Sequence, residues 1–517
     1  MFAPTIEKVQ HLAEKYNLIP IVREVMADME TPIRLFHHIY EEDYAFLLES
    51  VEGGAKWARY SFIGTNPFMI VKAKQGKFSI ELNGKSTYLE DHDPLERLRS
   101  LLGSYKSPHL PDLPRFTGGA VGFFGYDLLQ YYEQLPAHRM NDLQMNDLQF
   151  MFCDKVIAFD HMKQSIKVIA NLHVPERATK SQITKAYHQT CAEINQIIDR
   201  LNRPLSMQAM SARSVPDDIE PKEFSSNMSK EQFMSNVERA KEYIQAGEIE
   251  QAVLSQRFEM MTEASPLEVY RVLRTMNPSP YMYYLKMGDE VIVGTSPELL
   301  VRVEGRRVET RPIAGTRPRG KTSEEDVKLE EELLADPKER AEHDMLVDLG
   351  RNDLSRVCEE GSIHCDSYME IERYSHVMHI VSNLSGKLRE DKDFFDAFLA
   401  CMPAGTVSGS PKLRAMEIIA ELENEARGAY AGAIGYLGFS GNLDSCITIR
   451  TIIFKNGRAY VQAGAGIVSD SVPEKEYEET VNKAKALLKS ICAAENIFVR
   501  KPSGNEANQD YYLLEKE

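Results

Sequence analysis

The chain has 517 residues, 43% of them apolar and 27% charged, with a formal net charge of −17 and a pI near 5.4. That length exceeds one ordinary core and suggests roughly two to four domains, while the acidity argues against a nucleic-acid partner, which needs a basic footprint. No stretch approaches the ~20 apolar residues of a membrane helix, and seven scattered cysteines without a CxxC pair argue against disulfides and structural zinc. The N-terminus carries Glu7, Lys8, Glu14 and Lys15 where a leader would be apolar, so the chain reads as cytoplasmic.

In chain order, the first part alternates short β-rich runs with turns: Tyr44–Glu49, Phe68–Ala73, Phe78–Leu82, Val156–Phe159 and Ile166–Ala170. The glycine-rich run Gly118–Tyr126 reads as a buried strand in close backbone contact with a neighbour. Residues 182–201 carry apolar side chains at helical spacing, and 206–229, rich in Pro, Ser, Asp and Met, reads as a linker. A capping box at Ser229–Gln232 opens a new helix that Gly247 closes. Beyond it strands are expected at 252–258, 281–286, 290–294, 299–303, 431–439, 445–454 and 459–463. Helices are expected at 230–246, 324–335, 337–349, 411–423 and 473–491. Hairpin signals such as Asn456-Gly457 favour an α+β fold of mostly antiparallel sheets with helices packed outside. The division expected is an N-terminal domain at 1–205, the linker at 206–229, a second domain at 230–499 and a polar tail at 500–517.

Several segments could carry chemistry. Arg311–Gly320 puts three arginines beside two glycines and two prolines and reads as an ordered loop that receives an anion. Two helices each present an E-x-x-E pair, Glu339 with Glu342 after the cap Asp336, and Glu476 with Glu479 after Ser471. Facing each other, these carboxylates would suit Mg²⁺; read singly, Glu339 completes a capping box and Glu479 pairs with Lys483. The stretch Val461–Val468 reads as a strand entering a glycine loop whose amides could hold a carboxylate. His379, in an apolar β-like run, reads either as a core histidine or as a general base. Arg450, in a strand-like run, needs an anionic partner because a buried cation is costly.

Five blocks occur in order: P-I-A-G-T-R-P-R-G (312–320), A-E-H-D-M-L-V-D-L-G-R-N-D (341–353), R-Y-S-H-V-M-H (373–379), G-T-V-S-G-S-P-K (405–412) and Q-A-G-A-G-I-V-x-D-S-x-P-E-x-E-Y-x-E-T (462–480). Together they resemble the chorismate-utilising enzymes over residues 230 to 495, and within that family most the large subunits of anthranilate synthases. The N-terminal part is covered more loosely, by L-L-E-S (47–50), R-Y-S-F-I-G (59–64) and G-G-x-V-G-F-x-G-Y-D (118–127). The narrower likeness rests on Ala314, where aminodeoxychorismate synthases typically have lysine, and on Gln251, where isochorismate and salicylate synthases have a water-activating lysine. It rests further on L-L-E-S and on N-P-S-P-Y-M (277–282), which match the family's tryptophan-sensing motifs.

The resemblance implies a Mg²⁺-dependent lyase that makes anthranilate and pyruvate from chorismate and ammonia and is inhibited by tryptophan. It implies Mg²⁺ at Glu342 and Glu479, with Glu476 near. Chorismate would lie on Gly315, Thr316, Tyr430, Arg450, Gly464, Ala465 and Gly466. His379, Glu339 and Thr406 are the implied catalytic residues, with Glu339 the candidate acid and His379 the candidate base. Glu49, Ser50, Asn277, Pro280, Tyr281 and Met282 would form the tryptophan site, Glu49 and Asn277 from its two motifs. None of the seven cysteines sits in a nucleophile elbow, so a separate glutamine amidotransferase subunit is expected to supply ammonia.

Overall fold

The computed structural model describes residues 1–50, 59–82, 84–204, 219–374 and 377–499. Alternation of side chains along each strand builds the architecture. In Tyr44–Glu49, Ala45 and Leu47 join one core while Phe46 turns to the opposite face. Tyr281–Met287 repeats the pattern, with Met282 and Tyr284 on one side and Tyr283, Leu285 and Met287 on the other. Strands apolar on both faces must be covered on both. The result is two antiparallel sheets face to face, with helices packed outside each. This is the expected α+β sandwich.

The first sheet runs in space Phe2–Ala3, Leu18–Met26, Ser165–His173, Lys155–Asp160, Tyr60–Thr65, Tyr44–Glu49, Tyr281–Met287, Glu290–Ser296, Thr451–Lys455, Arg458–Ile467, Gln251–Met261 and Ser225–Ser226. The second runs from Ile313–Pro318 through Val377–Lys387, Arg307–Thr310, Leu299–Glu304, Leu443–Ile447 and Ala433–Gly438 to Gly119–Phe124, Leu148–Cys153 and three further strands. Both sheets therefore take strands from either side of the expected linker. Tyr44–Glu49 pairs with Tyr281–Met287, and Gly119–Phe124 with Ala433–Gly438. A Cβ at Gly119 would collide with the Leu437 carbonyl, which is the close approach read from the glycine run. Residue 205, residues 206–218 of the linker and the 500–517 tail lie outside the described residues, as do Ser375 and His376.

Four local readings change. The arginine-rich stretch is not a loop, because Ile313–Pro318 pairs as an edge strand with Val377–Lys387. The expected strand 445–454 is two strands, Leu443–Ile447 and Thr451–Lys455, broken where Arg450 adopts φ 51°. Gly464–Gly466 lie inside the strand Arg458–Ile467, whose alternate positions remain paired to Gln251–Met261. Ser471 does not cap the 473–498 helix: Val472 holds that place, and Ser471 Oγ accepts from Val468 N–H at 3.1 Å.

Candidate active site

His379 alternates with Met378 and Ile380, which enter a core with Leu333, so its ring faces the opposite way. A bulge between Ala314 and Thr316 puts Gly315 at φ 70°, a conformation that favours glycine. This aims the Gly315 carbonyl at His379 Nδ1, 3.0 Å away, with Thr316 Oγ1 also at 3.0 Å. Nδ1–H donating to that carbonyl leaves Nε2 with its lone pair. Burial, aided by the charge of Arg450 and opposed by the Gly315 bond, holds the imidazole below its usual range, hence neutral.

Arg450 sits at the strand break. Among the described residues its guanidinium has no ion-pair or hydrogen-bond partner, and burial alone moves its pKa, downward. It shares a cavity with Lys475, Glu478, Glu479, Asn482 and Lys483. The break has a second consequence. Thr451–Lys455 pairs only with 458–461 of the next strand, so 462–467 has no strand on that edge among the described residues. The Gly464 carbonyl there accepts from Lys483 Nζ at 2.9 Å. An unpartnered cation and an open backbone edge on one space make an anion receptor.

The carboxylates come from two helix starts. Asp336 caps Pro337–Ser355, accepting from Lys338 and Glu339 N–H, and also holds Arg317 at 2.9 Å. Glu339 accepts from Arg317 at 3.1 Å, and its Oε2 lies 3.3 Å from where a Cβ on Gly315 would stand. Burial and then the charge of Glu339 raise the Glu342 pKa, with Glu479 of the second helix adding to both. Glu476 is raised by burial and by Glu479. The two helices thus bring Glu339, Glu342, Glu476 and Glu479 within each other's fields, a charge surplus that Lys338 and Lys483 only partly offset. The pair read at Glu479 is also present, Lys483 Nζ lying 2.7 Å from it. Among the described residues no three Asp, Glu, His or Cys side chains close a ready-made metal cage. Two or more facing carboxylates short of a full cage fit Mg²⁺, which keeps waters and takes substrate oxygens.

Glycines open the floor. A Cβ on Gly464 would stand 2.8 Å from Tyr430 Oη, and one on Gly466 would meet Gln251 Nε2. Gln251 therefore borders the expected chorismate cradle. Thr406 lies in the turn Gly405–Val407 and donates to Glu298 Oε1 at 3.1 Å. Glu298 escaped the sequence reading. It stands in an ordinary S-P-E-L stretch with no pairing signal, yet burial raises its pKa to about 8. Leu346, Leu349, Gly350 and Asp353 of the Pro337–Ser355 helix wall the same cleft.

A separate cavity lies between the sheets. Glu49, Ser50, Pro280, Tyr281 and Met282 line it with Arg115, Arg302, Tyr436 and Asp444. Asn277 does not line it: it ends the Pro266–Met276 helix and donates to Thr295 Oγ1 at 2.9 Å. Glu49 is engaged from behind, accepting from Tyr270 Oη at 2.5 Å and Arg274 at 3.0 Å. Leu299 and Arg311 line both this cavity and the Glu298–Thr406 cleft.

The sequence model of the chorismate binding enzymes matches residues 45–489. The chain belongs to that family. Anthranilate synthase component 1 of Acetivibrio thermocellus is 54% identical over 496 residues, 95% of this chain and 99% of the relative. That of Aquifex aeolicus is 47% identical over 492 residues, covering 95% and 98%. The crystal structure of anthranilate synthase component I from Streptococcus pneumoniae superposes with a TM-score of 0.73 at 41% identity, over 85% of this chain and 93% of that one. The isochorismate synthase MenF of Escherichia coli shares the fold, with a TM-score of 0.66 at 18% identity over 94% and 98%. Within this family of enzymes the constellation around His379, Arg450 and the facing carboxylates is the part with the chemistry to hold and transform an anion.

Proposed function

We propose that this chain converts chorismate and ammonia into anthranilate and pyruvate, the first committed step of tryptophan synthesis, with Mg²⁺ as cofactor and tryptophan as feedback inhibitor. The observation that carries the reading is Arg450, a cation without a partner among the described residues, sharing a cavity with Glu479 at the open glycine edge, in a chain 54% identical to an anthranilate synthase component 1. Chorismate is a dianion, and an acidic protein must build its positive potential locally.

Arg450 binds one carboxylate, and the amides of Gly464 and Gly466 along the open edge, with Tyr430 Oη beside them, orient the other end, while Ala465 between them stays in the ladder with Leu254. Glu342 and Glu479 would hold Mg²⁺, with Glu476 close, and the ion would neutralise the ring carboxylate and draw electrons from the ring. Glu298 keeps its proton near neutral pH and is the candidate acid for the departing hydroxyl. Glu339, named for that role from the resemblance, is already engaged by Arg317. His379 Nε2 takes the C2 proton as enolpyruvate leaves, and aromatisation drives the step. Gln251 beside Gly466 offers no base to activate water, so amine addition is favoured over hydration.

Ammonia comes from a separate glutamine amidotransferase subunit: every cysteine is buried or half-buried, and burial raises the thiols on which it acts, such as Cys358 to about 11. The inter-sheet cavity takes tryptophan, with Glu49 and Ser50 for its ammonium group and Tyr281, Met282 and Tyr436 for the indole. Among the described residues no helix is long and apolar enough to cross a membrane. The test mixes the purified chain with chorismate, MgCl₂ and excess ammonium at mildly alkaline pH and follows anthranilate fluorescence. Fluorescence that needs Mg²⁺ and falls with tryptophan is the expected result; chorismate loss without fluorescence would overturn it.

A further inference from the structure

Arg427 belongs to none of the motifs that point to chemistry, yet its guanidinium is the hub of the site's far wall. It is fully buried, the largest such side chain among the described residues. Each of its three nitrogens donates. Nε reaches Glu423 Oε2 at 2.8 Å and one terminal nitrogen reaches Glu423 Oε1 at 2.6 Å, a bidentate pair. The same terminal nitrogen donates to the Val253 carbonyl and the other to the Val407 carbonyl, each at 2.7 Å. The cation also lies over the rings of Tyr126 at 4.6 Å and Tyr430 at 5.6 Å. Glu423 is in turn held by Ser255, through N–H at 2.7 Å and Oγ at 3.0 Å.

Each tethered group is one bond or one neighbour from an expected ligand contact. Val407 follows Thr406. Tyr430 puts its hydroxyl beside Gly464. Val253 stands opposite Gly466 in the ladder, and Ser255 opposite Gly464. We propose that Arg427 is a positioning residue: one planar cation sets the mutual placement of the Thr406 turn, Tyr430 and the glycine strand. Tyr126 extends this to the N-terminal part of the chain, whose Asp127 also accepts from Gly428 N–H at 3.1 Å and whose Tyr126 N–H donates to Gly428 O at 2.8 Å. The chorismate wall is therefore incomplete without residues that the family resemblance assigns to the regulatory half. A lysine cannot replace this group, because a point charge cannot span a bidentate carboxylate, two carbonyls and two ring faces at once.

This rests on the chorismate reading above, so the test reads binding and turnover separately. Arg427→Lys and Tyr126→Leu are purified, their folding followed by circular dichroism and thermal melting, and chorismate affinity measured by calorimetry beside the anthranilate rate. Tyr126→Leu touches no ligand and leaves the ion pair whole, so it reports even if Arg427→Lys fails to fold. The expected result is a cooperative melt for Tyr126→Leu with chorismate bound about 10-fold more weakly and the KM for ammonium unchanged. A folded Arg427→Lys should lose 100-fold or more in kcat/KM. Variants that melt earlier yet keep wild-type affinity and KM would make Arg427 a packing residue only and overturn the proposal. Wild-type protein that binds chorismate without releasing anthranilate would sink the reaction instead, and the affinity comparison would still decide the role of Arg427.

Discussion

Glu298 is a carboxyl that burial holds protonated to about pH 8. Its folded pKa is raised, so between the ordinary carboxylate range and about 8 the native state binds more protons than the unfolded one, and stability falls as pH rises through that window. Glu298→Gln should therefore abolish turnover while raising stability by up to about 4 kcal/mol at pH 8, with the gain vanishing near pH 4; thermal melts across pH check it. His379 has the opposite sense. Its depressed pKa keeps Nε2 free as pH falls through the ordinary histidine range, so the acid limb of kcat/KM should lie below about 6.5 and disappear in His379→Asn. Arg450→Gln should raise the chorismate KM roughly 50-fold, the value of a charge-assisted bond, without loss of thermal stability, since the cation it removes has no partner among the described residues.

Two helix N-termini and one broken strand do the positioning at the next scale. The 337–355 helix is fixed by Asp336, which satisfies two orphan amides and clamps Arg317 against Glu339. Asp336→Ala should cost about 1 kcal/mol from the cap, and it should also weaken Mg²⁺ dependence by freeing Arg317 to approach the carboxylates. A Mg²⁺ titration of activity reads the second effect apart from the melt. Helix periodicity made both E-x-x-E pairs legible in the sequence, because spacing three on a helix needs only local geometry. The break at Arg450 was not legible. Ile447–Phe454 is an apolar β-like run, and nothing within it says that one residue will turn to φ 51° and strip the neighbouring glycine strand of a partner.

Across the whole molecule, the sheets interleave the two halves of the chain, so neither half carries its own set of partner strands. Expressed alone, residues 230–499 should not melt cooperatively, having lost the partners of Tyr281–Met287 and Ala433–Gly438 and exposed two sheet edges; co-expression with 1–229 should restore the transition. The inter-sheet cavity depends on the same interleaving, with Glu49 from one half facing Met282 from the other. It shares Leu299 and Arg311 as walls with the Glu298–Thr406 cleft, so a ligand bound there would press on residues of both.

What the sequence alone determined is what local pattern encodes: the α+β class from period-two and period-3.6 runs, the helix caps, the paired carboxylates, and the family from five ordered blocks. His379 was named but left between core and base, since a β-like run does not say which face its odd residues meet. Only the tertiary structure decided the face that His379 takes, along with the Glu298–Thr406 pair, the open edge of the glycine strand and the Arg427 hub. Each joins residues tens to hundreds of positions apart whose significance lies in burial and missing partners. Those are properties of packed surfaces, and no window of sequence contains them.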